Sequence, residues 1–194
     1  MHGVRFILAS NSPRRRELLE SAGFEFDVIP STVPEQCAPG EVPEAFVCRL
    51  ATTKALQVAT GAPHGSLVLG ADTAVVVDAE ILGKPADAED AARMLRRLSG
   101  RSHRVLTGVS VVEAPDRIRG VEHSSTEVWF RALDETEIRD YVASGEPRDK
   151  AGAYGIQGIA SRFVTRIDGS YSNVVGLPVS LVDQLLRPFL TKAG

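Results

Sequence analysis

The chain has 194 residues, 43% of them hydrophobic and 24% charged, with a net charge of −3 at pH 7. That length suits one domain over 1–194 with a sizeable core and room for two lobes, and the acidic balance argues against a nucleic-acid binder. No apolar run approaches the ~20 residues of a membrane span, and the apolar stretch near the start is too short for a signal peptide. Cys37 and Cys48 form no Cys-x-x-Cys pair and read as free thiols of a reducing compartment. His2, His64, His103 and His123 have no zinc-like spacing.

Residues 4–8 read as a short apolar strand that runs into a polar corner, Ser10-Asn11-Ser12. A helix follows at once, with Ser12 as N-cap, Pro13 at the first helical position and Gly23 at the stop. Its first turn holds Arg14, Arg15 and Arg16. Cations there oppose the helix dipole, so the pattern predicts an anion at the helix mouth, met by serine hydroxyls, N–H groups and guanidinium forks. The alternative is a solvated basic turn paired with Glu17 and Glu20. Residues 25–29 read as a second strand, followed by a loop that carries Glu35. Residues 42–60 read as a helix in which Lys54 falls on the apolar stripe between Leu50 and Val58. A lysine there either runs its stem along apolar surface to water or reaches a cleft.

The spacing predicts strands at 67–77 and 81–83 around a turn at 78–80, a helix at 87–98, and strands at 105–112 and 126–130. A helix at 134–143 opens with Asp134 and Glu137 in the pattern of a capping box. Residues 152–158 form a glycine-rich loop. Strands at 163–167 and 171–175 and a helix at 181–190, broken near Pro188, complete the chain. Strands and helices alternate, with hairpins between, which predicts an α/β or α+β fold with a mixed sheet.

Asp72 stands out because a carboxylate in the strand Val68 to Val77 is costly unless paired, hydrogen-bonded or metal-bound. Gly70 beside it clears space for a close approach. The hairpin register places Lys84 opposite Thr73, so Lys84 is a candidate partner for Asp72. A structural ion pair is one reading, and a catalytic carboxylate beside a phosphate-binding lysine is the other. Lys84 is not part of a P-loop, because Asp78 and Pro85 stand where Walker A needs a glycine and a Ser or Thr. A hard divalent cation needs more oxygen ligands than Asp72 supplies, which gives Glu35 its interest. Gln157, in the glycine-rich loop, carries an amide that could read the edge of a base.

These segments resemble the Maf family of nucleotide pyrophosphatases. The matching blocks are LASNSPRR at 8–15, RLATTK at 49–54, GADT at 70–73, GKP at 83–85, LSG at 98–100, TG at 107–108, TEVWFR at 126–131, DKAGAYGIQG at 149–158 and GSYSNVVGLP at 169–178. They cover nearly the whole chain in order. The resemblance implies hydrolysis of a nucleoside triphosphate between the α and β phosphates, with a divalent cation (Mg or Mn), in the cytoplasm and as a homodimer. It implies a fold like that of the inosine triphosphate pyrophosphatases, two-lobed with a deep central cleft. Carried onto this chain, it makes Asp72 the catalytic base and Glu35 with Asp72 the metal site. Ser10, Arg15, Lys54 and Lys84 become phosphate binders, and Arg14, Thr73 and Gln157 set base preference. The run Ala153 to Gln157 is similar to the branch acting on dTTP and UTP. Two other readings stand beside it: a nucleotide-binding regulator of cell division and septum formation, and a pyrophosphatase acting on ITP.

Overall fold

The computed structural model describes residues 4–190. Seven strands, β1 (Phe6–Leu8), β2 (Asp27–Val28), β3 (Leu67–Val77), β4 (Glu80–Leu82), β5 (Ser102–Glu113), β6 (Arg117–Phe130) and β7 (Val164–Asp168), form one mixed sheet. Its hydrogen-bonded order is β2-β1-β3-β5-β6-β7, with β4 also on β3. The helices are α1 (Pro13–Ser21), α2 (Pro43–Ala59), α3 (Ala88–Leu98), α4 (Glu135–Ala143), α5 (Tyr171–Val175) and α6 (Val179–Leu190). No helix among the described residues is long and apolar enough to cross a membrane. The chain clusters into two compact units. One holds the residues up to Asp72, Thr107–Ser124 and everything from Gly176 on; the other holds Thr73–Leu106 and Ser125–Val175.

In the first unit, β1 pairs in parallel with both β2 and β3. Parallel strands need cover on both faces, which is why Phe6, Ile7 and Leu8 are all apolar and buried. On one face, Phe6, Leu8, Leu67 and Leu69 pack with Leu19 of α1 and with Val182 and Leu186 of α6. On the other, Ile7 and Val68 pack with Ala55, Val58 and Ala59 of α2. Ser12 caps α1 as its residue type predicts, its hydroxyl accepting from the Arg15 N–H at 3.4 Å. Helix α6 runs through Pro188 to Leu190, so the expected break is absent. Pro188 falls in the last turn, where a missing N–H removes one bond near the helix end.

In the second unit, β3 and β4 pair in the register the sequence predicts, Val75 with Leu82, Val76 with Ile81 and Val77 with Glu80. The turn between them uses Asp78 and Ala79, both at positive φ (52° and 62°) as such a two-residue hairpin requires. Asp134 and Glu137 form the predicted capping box on α4. Phe130, Tyr141, Tyr154, Phe163 and His103 make an edge-to-face aromatic cluster. Residues 171–175, expected as a strand, form α5. The Ser170 hydroxyl accepts from the Asn173 N–H at 3.3 Å, as an N-cap does, and the buried Asn173 amide donates to the Val105 carbonyl and the Thr126 hydroxyl. Strand β6 starts at Arg117, well before the expected residue 126, through an exposed polar stretch that lacks strand alternation.

Candidate active site

Helix α2 lies directly on the backbone of two strands. A Cβ on Gly70 would sit 2.0 Å from the Ala51 carbonyl oxygen, and one on Gly108 would sit 2.3 Å from that of Val47. Strand alternation puts Asp72 on the same face as Gly70, and helical spacing puts Lys54 one turn beyond Leu50. The two charged groups therefore meet in the interior. Lys54 Nζ donates to Asp72 Oδ1 at 2.6 Å and to Glu35 Oε1 at 2.6 Å. Lys54 is 6% exposed and Asp72 5%. Glu35 comes from the loop after β2. Burial pushes the Asp72 carboxyl above its ordinary range; Lys54 and Arg15 pull it back in part, and Glu35 adds to the rise.

Arg15 reaches the same cluster from α1. Its Nε donates to the Gly176 carbonyl at 2.8 Å, and its Nη1 to the Ala71 carbonyl at 2.9 Å and the Ser10 hydroxyl at 3.3 Å. The Ser10 hydroxyl also accepts from the Ser12 N–H at 3.1 Å. Burial lowers the pKa of the Arg15 guanidinium, the Asp72 and Glu35 carboxylates oppose that, and Arg14 lowers it further. The arginines of the first turn thus divide. Arg15 turns inward, Arg14 is half-buried beside it, and Arg16 points out to pair with Glu20 at 2.7 Å. Arg16 follows the solvated reading in its pairing with Glu20, while Arg15 is turned to backbone carbonyls and the Ser10 hydroxyl.

The structure brings Ser10, Arg15, Glu35, Lys54 and Asp72 into one cluster, with Arg14 adjacent. Thr73, Lys84 and Gln157 belong to the second unit. Thr73 follows Asp72 on β3 and is half-buried. Lys84 lies two residues beyond β4. Its neighbour Gly83 accepts from the Gly152 N–H at 3.0 Å, which ties the Lys84 segment to the loop that carries Gln157. Gln157 is exposed between buried Ile156 and buried Ala160. Sequence reading paired Asp72 with Lys84 and did not foresee Lys54 as the partner. It also missed the Ala71 and Gly176 carbonyls that hold Arg15. A backbone acceptor has no residue signature, and the one available hint was the chain punctuation at Gly176 and Pro178.

Among the described residues no group of three or more His, Cys, Asp or Glu side chains could hold a metal. Two carboxylates nevertheless converge, with the Lys54 ammonium filling the point between them, so a cation would have to take their other oxygens or displace that ammonium. In chemical type the two carboxylates match a hard cation of the Mg²⁺ kind, which takes one or two carboxylates and completes its shell with water and phosphate oxygens.

A sequence model of the family described as Maf-like protein matches residues 5–189. A Vibrio cholerae serotype O1 protein named dTTP/UTP pyrophosphatase is 52% identical over 188 residues, covering 95% of this chain and 98% of that one. A Geobacter metallireducens protein of the same name is 54% identical over 184 residues, covering 94% and 95%. Among solved structures, a HAM1 protein from Coxiella burnetii superposes with a TM-score of 0.55 at 16% identity, covering 95% of this chain and 99% of that one. That likeness concerns the fold.

Proposed function

Because this chain belongs to the Maf-like protein family, we propose that it is a nucleoside triphosphate pyrophosphatase acting on dTTP and UTP. The observation that carries the reading is the meeting of Asp72 and Glu35 on Lys54 Nζ with Arg15 alongside. A triphosphate brings several negative charges that must be neutralised before water can attack. Ser10, Arg15, Lys54 and Lys84 supply donors for them, with Arg14, Thr73 and Gln157 setting base preference. In this reading a water oxygen bonds to a phosphorus of the α–β bridge, that bridge breaks, and monophosphate and pyrophosphate leave. Asp72 orients the water and takes its proton. An ordinary aspartate, with a pKa of ~3.9, is a weak base for this task, and burial moves Asp72 in the useful direction. Glu35 and Asp72 would hold a divalent cation, Mg or Mn, which when bound would acidify that water and offset phosphate charge. The family resemblance further implies a homodimer in the cytoplasm.

The test is product formation across a panel of nucleoside triphosphates, with and without added magnesium or manganese. Pyrophosphate release fastest from dTTP and UTP is expected. Saturable binding without product would replace the enzyme with a nucleotide-responsive regulator of cell division, and preference for ITP would replace the substrate class.

A further inference from the structure

We propose that Glu146 is a positioning residue for base selection, acting through the loop that carries Gln157; this rests on the reading of Gln157 as a base reader. Glu146 opens a short turn (Glu146–Asp149) after α4. An acid there would ordinarily face water or a surface cation. Its carboxylate instead spans two separate segments. Oε1 accepts from the Tyr141 hydroxyl of α4 at 3.0 Å, and Oε2 accepts from the Ile159 N–H at 2.9 Å. Tyr141 is itself buried edge-on against Phe163, with ring centroids 5.2 Å apart. The carboxylate therefore anchors the loop, two residues beyond Gln157, to a fixed point of the second unit.

The glycines of the loop agree with this. A Cβ on Gly158 would lie 2.3 Å from Glu146 Oε1, and a Cβ on Gly155 2.7 Å from Lys150 Cε. Lys150 Nζ donates to the Glu146 carbonyl at 2.8 Å, which closes the turn from the other side. The Gly158 N–H donates to the Gly155 carbonyl at 3.1 Å, bracketing Gln157 within one tight bend. Below the bend, the Tyr154 hydroxyl meets His103 Nε2 at 2.8 Å. The loop thus closes tightly over the ends of the Glu146 and Lys150 side chains.

The consequence concerns discrimination. A glutamine amide both donates and accepts, so a mobile one can satisfy the edge of uracil, thymine or cytosine by turning over. It selects among them when its backbone is held, since a misplaced donor then costs a hydrogen bond. Fixing the backbone just beyond Gln157, at Ile159, is the part assigned to Glu146.

The test compares Glu146→Gln with Gln157→Ala and the double variant, measuring kcat and KM for dTTP, UTP and CTP with thermal unfolding alongside. Glu146→Gln is expected to cut the dTTP-over-CTP ratio of kcat/KM by about tenfold, mostly through KM, and to add nothing in the Gln157→Ala background. A merely structural residue would lower all three substrates together and leave the ratio intact. Tyr141→Phe, which removes one hydrogen bond from the same carboxylate together with the hydroxyl's contact to the Gly155 backbone and keeps the ring, should shift the ratio the same way, and it serves where Glu146→Gln fails to fold. If Gln157→Ala changes the ratio and neither Glu146→Gln nor Tyr141→Phe does, the role of Glu146 is overturned alone. If Gln157→Ala leaves the ratio unchanged, the base-reading role falls and the positioning role falls with it.

Discussion

The two units place their candidate functional groups in opposite settings. In the first, a buried pair forms the centre and the groups satisfy one another: buried Lys54 bridges buried Asp72 and the more exposed Glu35, and half-buried Arg15 is held by two carbonyls and a hydroxyl. In the second, Gln157 is exposed, and what is fixed is the backbone beneath it. Buried charges gain strength from a low dielectric, but each depends on its partner. An exposed amide depends on geometry alone. The first arrangement suits bond breaking, and the second suits telling one ligand from another.

That contrast can be broken most sharply at Lys54. Lys54→Met leaves Asp72 buried without its counter-charge, and denaturant unfolding at pH 7 should show a loss of about 3 kcal/mol. Burial already raises the Asp72 pKa in the folded state, so the stranded carboxylate takes up a proton as pH falls. The deficit should therefore narrow as pH falls from 7 toward the ordinary aspartate range, and a pH-independent deficit would mean that Asp72 is not the group left unpaired. Asp72→Asn comes next. It should lower turnover of dTTP by roughly a hundredfold or more with circular dichroism unchanged. Near-normal turnover would remove the chemistry from the first unit.

A smaller effect sharpens the second unit. Burial holds the His103 imidazole down, at about 3 against an ordinary 6.5. The folded state therefore disfavours the proton, and the stability this ring contributes is full above pH 6.5 and is lost as pH falls toward 3. The loss amounts to at most about 1.4 kcal/mol per pH unit. His103→Phe should flatten the decline of Tm across that window, while an unchanged slope would assign acid sensitivity elsewhere.

Local chemistry was legible wherever residues a few positions apart decide the outcome. Ser12 with Pro13, Asp134 with Glu137, and the Asp78-Ala79 turn each declare their role within one short window. Asp72 was legible for a related reason, since its own strand offers no partner. What stayed hidden depends on distant contacts. Tyr171–Val175 reads as a strand by its β-branched and aromatic content, yet Ser170 and the buried amide of Asn173 turn it into a helix. Lys54 alone looks like an ordinary lysine on a stripe; its carboxylates come from positions 35 and 72. Glu146 belongs to no motif in the sequence, because its partners Tyr141 and Ile159 are 5 and 13 positions away.

The contact of α2 with bare backbone at Gly70 and Gly108 bears on how this chain can vary. Neither glycine carries a side chain, yet adding a single methyl at either would lift the helix and carry the Lys54 ammonium away from its carboxylates. A saturation scan should accordingly rank these two chemically inert positions with the charged centre itself. Attempts to broaden the enzyme's repertoire would then do better to start at the surface loop around Gln157.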